Sequence, residues 1–82
     1  MTLQTEIKQF ILQNFLFTSD EAAVANSESL MEKGVVDSTG ILELIMHLEE
    51  RYGIKVQDEE MLPANLDSID RIAAFVERKR AA

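Results

Sequence analysis

One hydroxyl in this 82-residue chain stands where chemistry could be done to it. Ser38 lies within Gly34-Val35-Val36-Asp37-Ser38-Thr39-Gly40-Ile41, where a short loop meets an amphipathic stretch edged with acids. Asp37 and Ser38 are both good N-cap residues, so a helix is expected to start at one or the other. Side chains at a helix start are exposed, and the free N–H groups and positive dipole end there favour an anion. A phosphate ester on Ser38 Oγ suits that place; the plain alternative is a serine that only caps the helix. Catalysis by Ser38 itself is not expected. A serine nucleophile needs a base oriented by a third group, and the single histidine, His47, lies about two and a half turns along the same helix, roughly 13 Å by rise. The absence of cysteine excludes disulfides, thiolate metal ligands and a cysteine nucleophile. His47 has no partner at ligand spacing, and Asp58-Glu59-Glu60 lacks the alternating oxygens and glycine of a calcium loop, so no metal site is expected.

The elements that must position Ser38 follow from hydrophobic periodicity. Leu3, Ile7, Phe10, Ile11, Asn14 and Phe15 recur at near-helical spacing, which predicts an amphipathic helix from residue 3 to about 16. Residues 17–36 read as a long loop with local turns, pinned to the core by Leu30 and Val35. Ile41, Leu44, Ile45, Leu48 and Tyr52 set the buried face of a helix over 38–52, which Gly53 ends by taking positive φ. Ile54 to Val56 read as an extended loop, and Asp58 to Leu62 as one short helical turn stopped by Pro63. Asp67 or Ser68 caps a last helix that buries Ile69, Ile72, Ala73 and Val76, with Phe75 flanking. Met61, Leu62, Val56 and Ile45 are expected in the core. Gly40 costs its helix up to about 1 kcal/mol relative to alanine; either something approaches the backbone there, or the glycine is neutral variation at a fraying end.

Composition narrows the function classes. With 46% apolar residues the chain folds, as a single domain over 1–82. No apolar run is long enough to span a membrane and no basic segment precedes an apolar one, so neither a span nor a secretory signal is expected. The net charge of −7 repels nucleic acid and anionic membrane and favours basic protein surfaces. Away from the buried stripe of the 38–52 helix lie Leu42, Glu43, Met46 and Glu50, with Glu49 on its border. A solvated face explains the charges. Two apolar residues four apart, flanked by carboxylates, read instead as a docking ridge.

Asp37-Ser38, with Ser29-Leu30-Met31-Glu32-Lys33-Gly34-Val35-Val36 before it and Leu42-Glu43-Leu44-Ile45-Met46 after it, resembles the acyl and peptidyl carrier proteins. The likeness continues through Leu48 to Val56, Asp58-Glu59-Glu60, Asn65 to Ile69, and Ile72 to Val76. It implies an all-α carrier bundle of four helices, three main and one short, with a long loop between the first two. It implies that Ser38 carries 4′-phosphopantetheine, installed from coenzyme A by a phosphopantetheinyl transferase, and that the thiol of this arm holds an acyl or aminoacyl thioester. Asp37 would cap the helix, help the transferase hold metal, or both. Thr39, Leu42, Glu43, Met46, Glu49 and Glu50 would meet basic patches on partner enzymes, and Ile45, Val56, Met61 and Leu62 would line a cleft for the acyl chain. Such a protein has no catalysis of its own.

The likeness has one departure. Fatty-acid carriers read Asp-Ser-Leu followed by a carboxylate, whereas Thr39 and Gly40 stand here, as in carriers charged by a free-standing adenylating ligase. The expectation is therefore a cytoplasmic, monomeric carrier in a dedicated pathway, served by an adenylate-forming acyl or aminoacyl ligase and by acyl transferases or synthases. The alternatives are a fatty-acid synthase carrier and, from another class, an unmodified acidic helical adaptor.

Overall fold

Apolar side chains at helical spacing can leave water by packing helix on helix, and the chain does so with four α-helices among the described residues. The computed structural model describes residues 2–81; Met1 and Ala82, the ends of the expected domain, lie outside the described residues. Helix α1 (Leu3–Ile11) starts at Thr2, whose hydroxyl accepts from Thr5 N–H at 3.2 Å. The chain then widens into a π-helical turn over Leu12–Leu16 and leaves it at Phe17, which has φ +54°. Helices α2 (Ser38–Tyr52), α3 (Pro63–Leu66) and α4 (Ile69–Ala81) follow, and no strand forms among the described residues. The Cα radius of gyration, 11.6 Å, is that of a compact domain this long, about 12 Å.

Helix α4 is the common wall, packing against α1, α2 and α3. Its fully buried Ile69, Ile72 and Val76 meet Ile7, Ile11, Leu44 and Leu48 in one continuous core. Burying each such side chain contributes about 1.5–3 kcal/mol. Helix α1 runs antiparallel to α2 and is bridged to it by long side chains. Phe15 reaches Gly40, Phe10 stacks on His47, and Glu6 meets Arg51 and Tyr52.

The structure redraws several expected details. The wider π turn carries Leu12 into the core, leaving Asn14 exposed with its amide donating to Phe10 C=O at 2.9 Å. Leu30 pins the long loop as expected, its N–H donating to Asp67 C=O at 2.8 Å, but Val24 and Val36 are the other buried residues there, with Val35 only half-buried. Pro63 starts the short helix instead of stopping it. The helical turn before it is a 3₁₀ turn over Asp58–Glu60, and proline sits comfortably at the first position of α3, where no N–H is needed. Ser68, not Asp67, caps α4, accepting from Arg71 N–H at 3.1 Å. Phe75 is buried, and Leu62, expected in the core, is half exposed. Gly53 closes α2 with φ +66° and donates to Glu49 C=O at 3.0 Å.

Candidate functional site

Ser38 is the first residue of α2 and is exposed. The cap belongs to its neighbour: Asp37 Oδ1 accepts from Gly40 N–H at 2.7 Å, and Asp37 C=O from Ile41 N–H at 2.9 Å. Ser38 Oγ makes no hydrogen bond among the described residues, and neither does Asp37 Oδ2. The serine hydroxyl therefore has no part in holding the fold, and it stands where a helix start favours negative charge.

Beside it runs an apolar groove of about 140 Å³, bounded by Ser38, Met31, Ile41, Met61, Leu62, Pro63 and Leu66. Of the four residues expected to form an acyl cleft, Met61 and Leu62 are in its wall. Ile45 and Val56 are buried in the core and are not part of the lining. Met31, Ile41 and Leu66 complete the wall, which the spacing reading missed because they come from three separate segments. Asp67 ties two of those segments together. Its carboxylate accepts from Ser29 Oγ at 2.5 Å and from Met31 N–H at 3.0 Å, one residue beyond Leu66 in the opposite wall.

On the outer face of α2, Thr39, Leu42, Glu43, Met46 and Glu50 are all exposed, Leu42 at 53% and Met46 at 60%. Glu49 is turned inwards: its Oε2 accepts from Val56 N–H at 2.9 Å and holds the extended segment after the helix. Glu43 and Glu50 make no ion pair or hydrogen bond among the described residues.

His47 is stacked on Phe10, with ring centroids 3.8 Å apart and planes 8° from parallel. Burial, and then the nearby Arg51, hold it below its ordinary pKa, with Glu50 opposing. A larger hollow of about 280 Å³ opens on this side, between Glu6, Phe10, His47, Arg51 and Tyr52, and does not include Ser38. Burial and the Glu6 carboxylate push the Tyr52 phenol up to about 12. Ser38 Oγ has no base beside it among the described residues: His47 stacks on Phe10 of α1, well along α2 from Ser38. No helix among the described residues is long and apolar enough to cross a membrane.

Residues 16–76 match the PP-binding family, described as a phosphopantetheine attachment site. An acyl carrier protein of Brachyspira hyodysenteriae is 31% identical over 80 residues, covering 98% of this chain and 99% of that protein. A D-alanyl carrier protein of Abiotrophia defectiva is 30% identical over 54 residues, covering 66% of this chain and 68% of that protein.

Proposed function

The chain belongs to the phosphopantetheine-binding carrier family, and we propose that Ser38 is the residue to which the arm is joined. A member of this family is a carrier, not an enzyme; its cofactor is 4′-phosphopantetheine, held covalently and installed by a phosphopantetheinyl transferase. When bound, the group supplies a terminal thiol that holds the cargo as a thioester. The observation that carries the Ser38 reading is its exposed, unbonded Oγ at the first position of α2, inside the matched span. Ser38 Oγ forms the new bond to the phosphorus that carries the pantetheine arm as the bond from that phosphorus to the bridging pyrophosphate oxygen of coenzyme A breaks; adenosine 3′,5′-bisphosphate leaves, and the Ser38 proton passes to a base of the transferase. The α2 N-terminus favours the resulting negative charge, and the groove of Met31, Ile41, Met61 and Leu62 offers apolar surface beside it. Asp37 serves twice: Oδ1 caps the helix, and Oδ2 is open towards a metal held by the transferase. The test is intact mass after incubation with a transferase and coenzyme A. The parent protein gains one arm and Ser38→Ala gains none; an unmodified adaptor would gain nothing in either form.

For cargo, we propose loading by an adenylate-forming acyl or aminoacyl ligase in a dedicated cytoplasmic pathway. The support is Thr39, exposed where fatty-acid carriers present leucine, together with the likeness to a D-alanyl carrier protein. Gly40 adds nothing to this reading, because Phe15 accounts for it within the chain. The near-full-length likeness to an acyl carrier protein favours the second reading, service to fatty-acid synthesis. Offering the holo-protein to both enzyme sets and weighing the thioester separates them: the first reading expects efficient ligase charging and poor elongation. Thr39→Leu should shift the preference towards fatty-acid enzymes, by an apolar contact of roughly 1–2 kcal/mol if buried on docking.

A further inference from the structure

Gly40 is buried, and a Cβ built on it would lie 2.8 Å from Phe15 Cε1 and 3.3 Å from Asp37 Oδ1. The missing side chain thus makes room for two things at once, the ring of Phe15 and the carboxylate that caps α2. The ring is braced on one side. Phe10 abuts it edge-on, centroids 6.0 Å apart and planes at 78°, and Phe10 is itself stacked on His47. The π turn over Leu12–Leu16 sets where Phe15 stands along α2. Ser38 lies between the capping Asp37 and the packed Gly40, so whatever fixes that turn fixes the direction of its Cα–Cβ bond and hence the positions open to its Oγ.

We propose that Phe15 is a positioning residue for arm attachment: its ring, seated on Gly40, holds the first turn of α2 so that Ser38 Oγ meets the transferase correctly. This rests on Ser38 being the attachment residue, and the experiment separates the two. Parent protein, Ser38→Ala, Phe15→Leu, Gly40→Ala and the Phe15→Leu/Gly40→Ala pair are incubated with a phosphopantetheinyl transferase and coenzyme A. Initial rates are read by intact mass over a range of carrier concentration, with thermal unfolding measured alongside. Gly40→Ala should lose about tenfold or more in kcat with little change in KM, the mark of a misplaced nucleophile rather than a lost docking contact. The pair should recover most of that loss, because leucine withdraws the ring atoms that meet the new Cβ. A folded Gly40→Ala that takes the arm at the parental rate overturns the proposal, as does a loss that the pair does not recover. If Gly40→Ala fails to fold, Phe15→Leu alone decides: an unchanged kcat overturns the proposal, and a reduced one supports it. A parent that takes no arm, or a Ser38→Ala that takes one, overturns the Ser38 assignment and this inference with it.

Discussion

The acidic side chains of this small domain are used in two opposite ways. Away from the outer face of α2 many are tied: Asp67 holds Ser29 and Met31, Glu6 meets Arg51 and Tyr52, and Glu60 pairs with Lys79 at 2.8 Å. The bases of α4 are likewise occupied. Arg71 donates to Pro63 C=O, Arg78 to the Asn65 side chain, and Arg80 lies over the Tyr52 ring. On the outer face of α2, Glu43 and Glu50 flank exposed Leu42 and Met46 and have no internal partner among the described residues. The tied acids shape the groove and brace the bundle. The untied ones add nothing visible to the fold and leave a negative, partly apolar strip running from Ser38, which is what a short-lived encounter with a basic enzyme surface needs.

The contrast can be broken most forcefully at Asp67. Asp67→Ala should lose about 1–3 kcal/mol in urea unfolding, because two donors of the long loop are left without their acceptor. The untied pair should behave in the reverse way. Glu43→Lys with Glu50→Lys should leave the urea midpoint nearly unchanged while slowing capture by the transferase about tenfold at low salt, with raised salt producing a like slowing in the parent. Capture indifferent to both changes would show that this face is only solvated. Within the site itself, Asp37→Ala should cost about 1 kcal/mol through the lost cap, whereas Ser38→Ala should cost almost nothing, since its hydroxyl holds no part of the helix. Equal costs would erase the division between a capping and a free residue.

The smallest effect concerns His47. Its folded-state pKa is lowered by burial and Arg51, so the unfolded chain takes up the proton more readily. It therefore contributes stability that is full above its ordinary pKa of about 6.5 and is lost as pH falls from there through the lowered folded value. His47→Phe should keep the stack on Phe10 and flatten the decline in urea midpoint between about pH 7 and pH 5.5. An unaltered slope would mean that the ring's burial is not felt by the proton.

Much of this was legible in the sequence. The period of Ile41, Leu44, Ile45 and Leu48 gave α2 its extent and buried face, and Gly53 gave its end, because both signals are local. What could not be read arose from contacts between distant segments. Gly40 looked like a gap left for a visitor, but its neighbour is Phe15, delivered by a π turn that helical spacing does not foresee. Glu49 looked like part of the ridge, yet it is spent on Val56 N–H seven residues later. Pro63 reads in the sequence as a stop, yet it stands at the start of α3, a place that suits proline equally well. The groove beside Ser38 was half visible: Met61 and Leu62 could be named from their neighbourhood, whereas Met31 and Leu66 meet only because Asp67 ties their segments.

Localising the arm by mass is the most direct trial of Ser38 as the attachment residue. The protein is incubated with a phosphopantetheinyl transferase and coenzyme A, digested, and each serine-containing peptide is fragmented. We expect the added mass on Ser38 alone, with Ser19, Ser27, Ser29 and Ser68 unmodified. An arm found on any of those four, or no arm on a folded protein that the transferase demonstrably binds, would refute the assignment.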